Sequence, residues 1–432
     1  MRYSRQAEGR YPRDQTESSL KPGLELLAFP LVFLAIALWK SRNLFAHPRF
    51  WAEEATVFYA RFLHSSFFDS IFYVKSASLQ LLTNVIVYAA AQAPPELGPT
   101  VTTYAALALH LVVVVQIALF IRAHGLGQAT GLLLVGAWAL LPQTYEVWLS
   151  ATNAQWVAGV SALMVFVMPS AWMARHRRGA ALWCFVCGLS GVPATLLAPM
   201  FILRALIERS RPVALIAAAL AATVIVQLAV LAAFGESRPY PRDPMTLTVP
   251  LFLQSVLAPV VSADGADRLA MHILSPHPAI AAMSLIATLI LGLAVLGVAT
   301  AAAATARRKP DAWLVLLALV GVTAVQNFGG ISPREHLAGA AGARYFLCGA
   351  MCLCLLLGWG TQAWPASLRR VSFGLLCWIV LVGIVTAAVS PWTIPHTHGP
   401  SWRRQIDACV PGQICSVTVW PGGPAWALEI RK

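Results

Sequence analysis

The chain has 432 residues, of which 58% are hydrophobic and 11% are charged, and its 31 Lys+Arg against 18 Asp+Glu give a formal net charge of +13. Soluble domains carry about 25% charged residues, and apolar runs recur here along most of the sequence. This composition excludes a soluble enzyme, a disulfide scaffold and a disordered protein, and it predicts an all-α polytopic transmembrane helical bundle. The basic residues cluster between apolar runs, as in cytoplasmic loops, which argues against a nucleic-acid partner.

Residues 1–22 are expected to be a disordered cytoplasmic tail, because they are polar and contain several basic residues before the first apolar run. No cleavable signal peptide is expected. The first span is predicted near Leu24–Leu38, and residues 41–75 are predicted to form an external first loop. Aromatic residues alternate with charges in this loop, which is typical of helices that lie in the membrane interface. The transmembrane domain is assigned to residues 23–390.

Two apolar runs, Leu81–Ala91 and Val101–Ile121, lie between the external Lys75 and the internal Arg122. This interval requires an odd number of crossings, so one of the two runs is expected not to span, and the sequence leaves open which one. Further spans are predicted at Gln128–Leu141, Val157–Trp172, Val213–Ala233, Ile280–Ala304, Trp313–Val325, Tyr345–Leu357 and Val371–Ala388.

The run Ala181–Leu203 has basic clusters at both ends and contains Gly188, Gly191 and Pro193. This pattern predicts a broken helical hairpin that enters the membrane and returns to the same side. Broken helices persist in a membrane only where protein or water satisfies the freed backbone groups, so other helices should cover it. A second irregular stretch, Leu251–Val261, falls in an external segment and is interpreted as lying on the surface.

Residues 391–432 are predicted to form an external, periplasmic tail. Cys409 and Cys415 flank a Pro411-Gly412 turn in this tail and are expected to form a disulfide. Paired cysteines fit an oxidising compartment such as the bacterial periplasm, which agrees with the orientation given by the basic residues. The sequence therefore predicts a multi-pass protein of the bacterial inner membrane, with a cytoplasmic N-terminus and a periplasmic C-terminus.

The densest external set of ionisable residues follows the first span and contains Arg49, Glu53 and Glu54. Ionisable residues at the membrane edge are costly and therefore suggest function. Adjacent residues on a helix point about 100° apart, so only one of the two carboxylates is expected to face a given site. The alternatives are a solvated interfacial turn or a side ligand for a divalent metal, and the sequence leaves the metal open.

A second external set, Tyr145–Trp156, includes Asn153, Gln155 and Trp156. Amide and indole groups can bind sugar hydroxyls through hydrogen bonds and stacking, although an aromatic belt at the membrane interface would also contain Trp and Tyr.

A third external set consists of Arg334, His336, Arg344 and Tyr345. An arginine at the external membrane edge departs from the positive-inside pattern. Its guanidinium can bind phosphate through two parallel hydrogen bonds, so Arg344 is a candidate for binding a lipid phosphate. The alternative is an anchor whose charged end reaches the interface.

Taken together, these features resemble the GT-C class of polytopic membrane glycosyltransferases, which use polyprenyl-phosphate-linked sugars. The resemblance rests on four motifs, namely Trp51-Ala-Glu53-Glu54, the apolar run that ends at Leu141-Pro142 after the short basic turn Arg122–Gly127, the broken hairpin at Gly188, Gly191 and Pro193, and Gly-Ala-Arg344-Tyr345. Many family members have Asp in the first-loop motif, where this chain has Glu at both positions. The C-terminal region is also only a short tail without a large acceptor-binding domain.

The resemblance implies a hexosyl- or pentosyltransferase that moves one sugar from a polyprenyl-phosphate donor to a hydroxyl of a glycan, lipid or protein acceptor at the external face. Glu53 or Glu54 is expected to act as the general base. The residues expected to bind the donor phosphate or sugar are Arg49, Arg334, His336, Arg344 and Tyr345. Those expected to bind the acceptor or its sugar are Asn153, Gln155 and Trp156. A transporter or flippase of a lipid-linked sugar and a non-catalytic envelope assembly protein remain alternatives.

Overall fold

The computed structural model describes residues 24–235, 248–306, 309–329, 342–389, 400–422 and 426–431. Seven helices in this part of the chain are long and apolar enough to cross a membrane. The largest hydrophobic core cluster joins residues from α1 to α17, as these helices are numbered below. The chain is therefore a multi-pass all-α helical bundle, as its composition predicts.

In chain order, the α-helices are α1 (Leu24–Ala46), α2 (Ala60–Phe62), α3 (Phe67–Ile71), α4 (Leu81–Ala91), α5 (Gly98–His124), α6 (Gln128–Leu140), α7 (Ala154–Phe166), α8 (Ser170–Leu189), α9 (Val192–Thr195), α10 (Ala198–Glu208), α11 (Arg211–Phe234), α12 (Ala258–Val261), α13 (Ala263–Ile273), α14 (Pro278–Ala306), α15 (Lys309–Gly329), α16 (Leu347–Gly360), α17 (Ala366–Val389) and α18 (Trp402–Ala408). Two segments are π-helical, Glu54–Tyr59 and Leu251–Leu257. Two antiparallel strand pairs complete the fold, β1 (Val74–Lys75) with β2 (Ser78–Leu79) and β3 (Ile414–Thr418) with β4 (Ala427–Arg431).

Contacts between connecting segments define the two sides of the bundle. On one side, the first loop and the residues that follow α4 meet the C-terminal segment, where Trp402 Nε1 donates to the Pro95 carbonyl at 2.8 Å. On the other side, the α5–α6 turn meets the α16–α17 turn, where Gln362 Nε2 donates to the Gly125 carbonyl at 2.6 Å. We call these the first-loop side and the opposite side.

Helix α4 does not cross the bundle. Thr83 Oγ1, near its start, donates to the Ala151 carbonyl at 2.9 Å, and Pro95, just after its end, accepts from Trp402. Both ends of α4 therefore lie on the first-loop side. Eleven residues of helix cover only about 16 Å, against about 30 Å of hydrocarbon core. The single crossing in this interval is α5, which answers the question that the sequence left open.

Helices α8, α9 and α10 form a broken hairpin. Helix α8 ends next to Ser190, whose Oγ accepts from the Leu82 backbone N–H at 3.3 Å on the first-loop side. Gly191 then turns the chain at φ +148°, and a Cβ there would lie 2.5 Å from Gln155 Oε1. Helix α10 returns to the opposite side, where the Ser170 hydroxyl donates to the Glu208 carboxylate. The hairpin thus enters and leaves on one side, as its Gly and Pro pattern predicts.

The prediction that Leu251–Val261 lies on the surface is wrong. This segment packs inside the bundle, where Phe252 contacts the position of Gly292 in α14. The hydroxyls of Ser255 and Thr323 form a hydrogen bond at 3.2 Å, which joins the segment to α15. An apolar stretch between polar residues fits either a surface helix or a re-entrant one, and only its packing partners distinguish the two.

Helix α1 extends beyond its predicted end, so Lys40 lies within it and is buried. The Lys40 ammonium donates to the Ala139 carbonyl at 2.8 Å and lies 3.9 Å from the Trp148 ring centroid. Ala139 belongs to the last turn of α6, where carbonyls have no partner within the helix and carry partial negative charge. The carbonyl at this helix end and the aromatic face of Trp148 both contact the Lys40 amine.

Residues 400–422 and 426–431 form a small unit that we call the C-terminal module. It contains α18, the β3–β4 pair and the predicted disulfide between Cys409 and Cys415. Trp402 joins this module to the first loop, because its ring packs against Phe50 at 4.8 Å and Tyr59 at 6.1 Å between centroids. The module therefore lies on the first-loop side.

Candidate functional site

Glu54 is the buried member of the acidic pair and is only 1% exposed. Its Oε2 accepts from the Trp51 backbone N–H and its Oε1 from the Ala151 backbone N–H, both at 2.9 Å. Burial raises the pKa of Glu54 to about 7, although the backbone donors act in the opposite direction. Glu54 thus joins the first loop to the segment that follows α6, and both of its oxygens bind backbone N–H groups.

Glu53 is half-buried and lies close to an ion pair from two distant segments. Arg344 Nη1 donates to Glu146 Oε2 at 2.9 Å. Burial raises the pKa of Glu146, the Arg344 guanidinium opposes this rise, and the Glu53 carboxylate adds to it. Glu53 also interacts electrostatically with Arg344. Arg344 and Glu146 are thus in direct contact, and Glu53 is near enough to interact with both electrostatically; we call these three residues the charged cluster.

Arg344 is positioned by a short 3₁₀ turn, Ala343–Phe346, which opens helix α16. Gly342 precedes this turn at φ +90°, in the left-handed region that favours glycine. Ala343 and Phe346 are buried, whereas the Arg344 side chain is 24% exposed. The turn thus fixes the backbone while part of the guanidinium remains accessible.

Asn153 and Trp156 lie beside the charged cluster. Asn153 Nδ2 donates to the Glu146 carbonyl at 2.7 Å, which holds the backbone that carries the Glu146 carboxylate. The Trp156 ring meets Tyr345 edge-on at 4.7 Å between centroids. Gln155, which the sequence groups with these residues, instead packs against Gly191 in the hairpin.

Arg49 is placed against the C-terminal module. Its guanidinium lies 5.3 Å from the Trp420 ring centroid, and the Trp51 and Trp420 rings are 5.3 Å apart. Burial lowers the pKa of Arg49 to about 10, so the side chain remains a cation at neutral pH. The structure thus places Arg49 against Trp420 of the C-terminal module, and its donor-binding role stays a prediction.

Arg334 and His336, the remaining predicted donor-binding residues, lie outside the described residues. Within the described ranges, no group of three His, Cys, Asp or Glu side chains is arranged to hold a metal ion. Sequence reasoning missed Glu146 as a site residue, although it is an acidic side chain in a charge-poor external segment. Its partner Arg344 is 198 residues away, and no local pattern links the two.

A cavity of about 1260 Å³ opens on the opposite side, where Gly125, Arg204, Trp359 and Arg369 are among its lining residues. The charged cluster and Glu54 do not line it. Within this cavity, Arg204 Nε donates to Glu208 Oε1 at 2.8 Å, so these two charges compensate each other. The described chain thus has a charged cluster on one side and a separate cavity on the other.

Comparisons with protein-family models, with curated proteins and with solved structures gave no match to this chain.

Proposed function

We propose that this chain is an integral membrane glycosyltransferase of the GT-C type, which moves one hexose or pentose from a polyprenyl-phosphate donor to an acceptor hydroxyl at the external face. The observation that carries this proposal is the charged cluster. It combines a half-buried carboxylate, Glu53, with a guanidinium, Arg344, whose orientation is fixed by Glu146. A base and a phosphate-binding cation are the two groups that such a transfer needs at one place.

Glu53 is the general base in this proposal. An acceptor hydroxyl is a poor nucleophile until a carboxylate takes its proton. As the hydroxyl oxygen forms its new bond to the anomeric carbon, the proton passes to Glu53 and the bond from that carbon to the phosphate oxygen breaks. The anomeric carbon carries oxocarbenium-like charge between the two events. Glu54 is less suited to this role because both of its oxygens accept backbone hydrogen bonds.

Arg344 stabilises the departing lipid phosphate. Negative charge grows on the phosphate as the bond to the sugar breaks, and a preorganised guanidinium in a partly buried site stabilises such charge strongly. Glu146 binds Nη1 of Arg344 and Tyr345 also interacts with this guanidinium, whose five N–H donors exceed what these two partners use and can include phosphate oxygens among their acceptors. The Trp156–Tyr345 pair beside the cluster offers aromatic surface to the sugar or its lipid.

The distribution of charge supports an external position for the first-loop side and a bacterial inner-membrane location. Basic residues mark the opposite side, at the α5–α6 turn with Arg122 and at the start of α17 with Arg369 and Arg370, as expected of cytoplasmic segments. In the first loop, Phe67 and Phe68 are 51% and 70% exposed. Such exposed aromatic rings support contact of this loop with the membrane interface.

The experiment is a transfer assay with the purified protein, a radiolabelled polyprenyl-phosphate sugar and candidate acceptors. Glu53→Gln is expected to reduce transfer by about 100-fold or more, the usual contribution of a general base. Glu54→Gln is the matched control, because it removes the neighbouring carboxylate without removing the proposed base. A Glu53→Gln protein with full activity would exclude this assignment.

The cavity on the opposite side favours one alternative function, a transporter or flippase of a lipid-linked sugar. A protein that moves its substrate across the membrane needs space on both sides, and 1260 Å³ accommodates a head group. The same purified protein distinguishes the two functions. Transport of a labelled lipid-linked sugar into vesicles without transfer to any acceptor would favour the flippase.

A further inference from the structure

Ala52 has a strained backbone directly before the acidic pair. Its φ is +38°, in the left-handed region that costs an L-residue other than glycine about 1–2 kcal/mol. Such strain persists only where the surroundings hold the residue in place, and it concentrates at functional sites. Because Glu53 follows immediately, the φ angle of Ala52 determines the direction in which the Glu53 side chain leaves the first loop.

The C-terminal module holds Ala52 in this conformation. The Ala52 backbone N–H donates to the Trp420 carbonyl at 2.6 Å. Trp51 and Trp420 form an isolated parallel β-bridge, and their rings pack edge-on at 5.3 Å. The Arg49 guanidinium also lies over the Trp420 ring, at 5.3 Å from its centroid. Three neighbouring residues of the first loop thus bind one residue of the module.

The C-terminal module is held together by apolar packing, a hydrogen bond and a disulfide. Val417 and Val419 are buried in the same apolar cluster as Phe50 and Tyr59. Gln405 of α18 accepts from the Thr418 backbone N–H at 2.8 Å, which ties the helix to β3. The Cys409–Cys415 disulfide closes the turn between α18 and β3.

We propose that Trp420 is a positioning residue, which holds Ala52 in the left-handed conformation and thereby directs Glu53 toward Glu146 and Arg344. The C-terminal module is then a clamp on the first loop. This inference rests on the proposed function only where Glu53 acts as the base. The clamp itself is a structural property that can be measured without any substrate.

The test combines Trp420→Ala with Ala52→Gly. Trp420→Ala keeps the carbonyl that binds Ala52 but removes the indole that packs against Trp51 and Arg49, which loosens the contact. Ala52 then returns to negative φ, so the variant is expected to lower kcat about 5- to 30-fold, the equivalent of that strain, at an unchanged KM for the donor. Glycine adopts positive and negative φ about equally. The double variant Ala52→Gly/Trp420→Ala should therefore recover to within about twofold of Ala52→Gly. If Trp420 had only a structural role, the loss of kcat in Trp420→Ala would not be reversed by removing the methyl group of Ala52.

Ala77→Gly is the matched control. Ala77 lies just after the first loop, in the turn between β1 and β2, at φ +55°, and the described structure gives it no contact with Trp420. Ala77→Gly relieves similar strain at a different place, so it should not restore the activity of Trp420→Ala. If Trp420→Ala does not purify as a folded protein, Trp420→Leu replaces it throughout the comparison.

Hydrogen exchange measured by mass spectrometry separates the clamp from the proposed function. The peptide that covers residues 50–56 should exchange faster in Trp420→Ala than in the wild type, because the loss of the indole packing against Trp51 loosens the hydrogen bond from the Ala52 N–H to the carbonyl of residue 420. Unchanged exchange would refute the clamp, and so would a double variant that stays as slow as Trp420→Ala. Faster exchange in a protein that transfers no sugar would support the clamp and refute the transferase.

Discussion

Replacing Glu54 by Gln should change how the stability of the protein depends on pH. Burial raises the pKa of this carboxyl from its ordinary value of 4.5 to about 7. The folded state therefore binds more protons than the unfolded state between these two values, and the free energy of unfolding falls as the pH rises through this window. At 1.36 kcal/mol for each unit of pKa, the loss is about 3 kcal/mol.

Glutamine removes this titration but introduces a different cost. The Glu54 carboxylate accepts one backbone N–H on each oxygen, whereas a glutamine side chain has only one oxygen. One N–H, from Trp51 or Ala151, then faces an NH₂ group and stays unpaired, which costs about 1–3 kcal/mol. Glu54→Gln should thus be less stable than the wild type at pH 5. At pH 8 it should be equally or more stable, because the wild type there carries a buried charge.

The assay is thermal unfolding in detergent, followed by tryptophan fluorescence between pH 5 and pH 8. The wild-type Tm should fall across this range more steeply than that of Glu54→Gln, and the two curves should converge or cross. Glu53→Gln is the control for side-chain replacement in the same segment, because the described structure shows no hydrogen bond that it would break. Parallel pH dependences for Glu54→Gln and the wild type would refute the assignment of the buried titrating group to Glu54.

Three further substitutions, one of them paired with a control variant, test other contacts. Ser41→Ala removes the hydroxyl that accepts from Trp148 Nε1 at 3.0 Å, and the unpaired buried indole should lower the stability by about 1–3 kcal/mol, measured as a lower Tm. Gly188→Ala places a Cβ 2.1 Å from the hydroxyl of Thr223 and should cost about 1–3 kcal/mol by overpacking. Gly179→Ala in the same helix meets open space and should leave Tm unchanged or higher. Glu146→Gln weakens the contact that orients Arg344 and should reduce sugar transfer, and wild-type transfer rates in this variant would contradict that role.

The sequence predicts the bundle but not all of its irregular segments. Hydropathy identifies the long spans because a helix in lipid needs a continuous apolar surface. The location of α4 depends on contacts with Ala151 and the C-terminal module, which lie far from it along the chain. The sequence misplaces the stretch Leu251–Val261 for the same reason. Its apolar residues face helices of the bundle, and the sequence does not show which surface covers them.

The acidic pair shows which features of the site the local sequence predicts and which it does not. Helical geometry predicts that Glu53 and Glu54 point in different directions, and the structure places them in different surroundings. Which one is buried depends on the Ala151 backbone N–H, 97 residues away from Glu54. Nothing near Glu146 in the sequence marks it as a site residue, because its partner Arg344 lies in another loop. Local patterns thus identify candidate side chains, whereas non-local contacts decide which of them meet.

The polar contacts on the first-loop side have one feature in common. Each joins two segments that are distant in sequence. Glu54 binds Ala151, Glu146 binds Arg344, and Ala52 binds the C-terminal module. Each contact would be worth only about 1 kcal/mol on an exposed surface, but burial raises the cost of breaking it because the separated groups then lack water. Lys40 extends the same principle into the bundle, where it binds the end of α6 just before the segment that carries Glu146. The chain segments before and after Glu146 are therefore both held by buried polar contacts, at Ala139 and at Ala151. These contacts determine where Glu146 lies relative to Arg344.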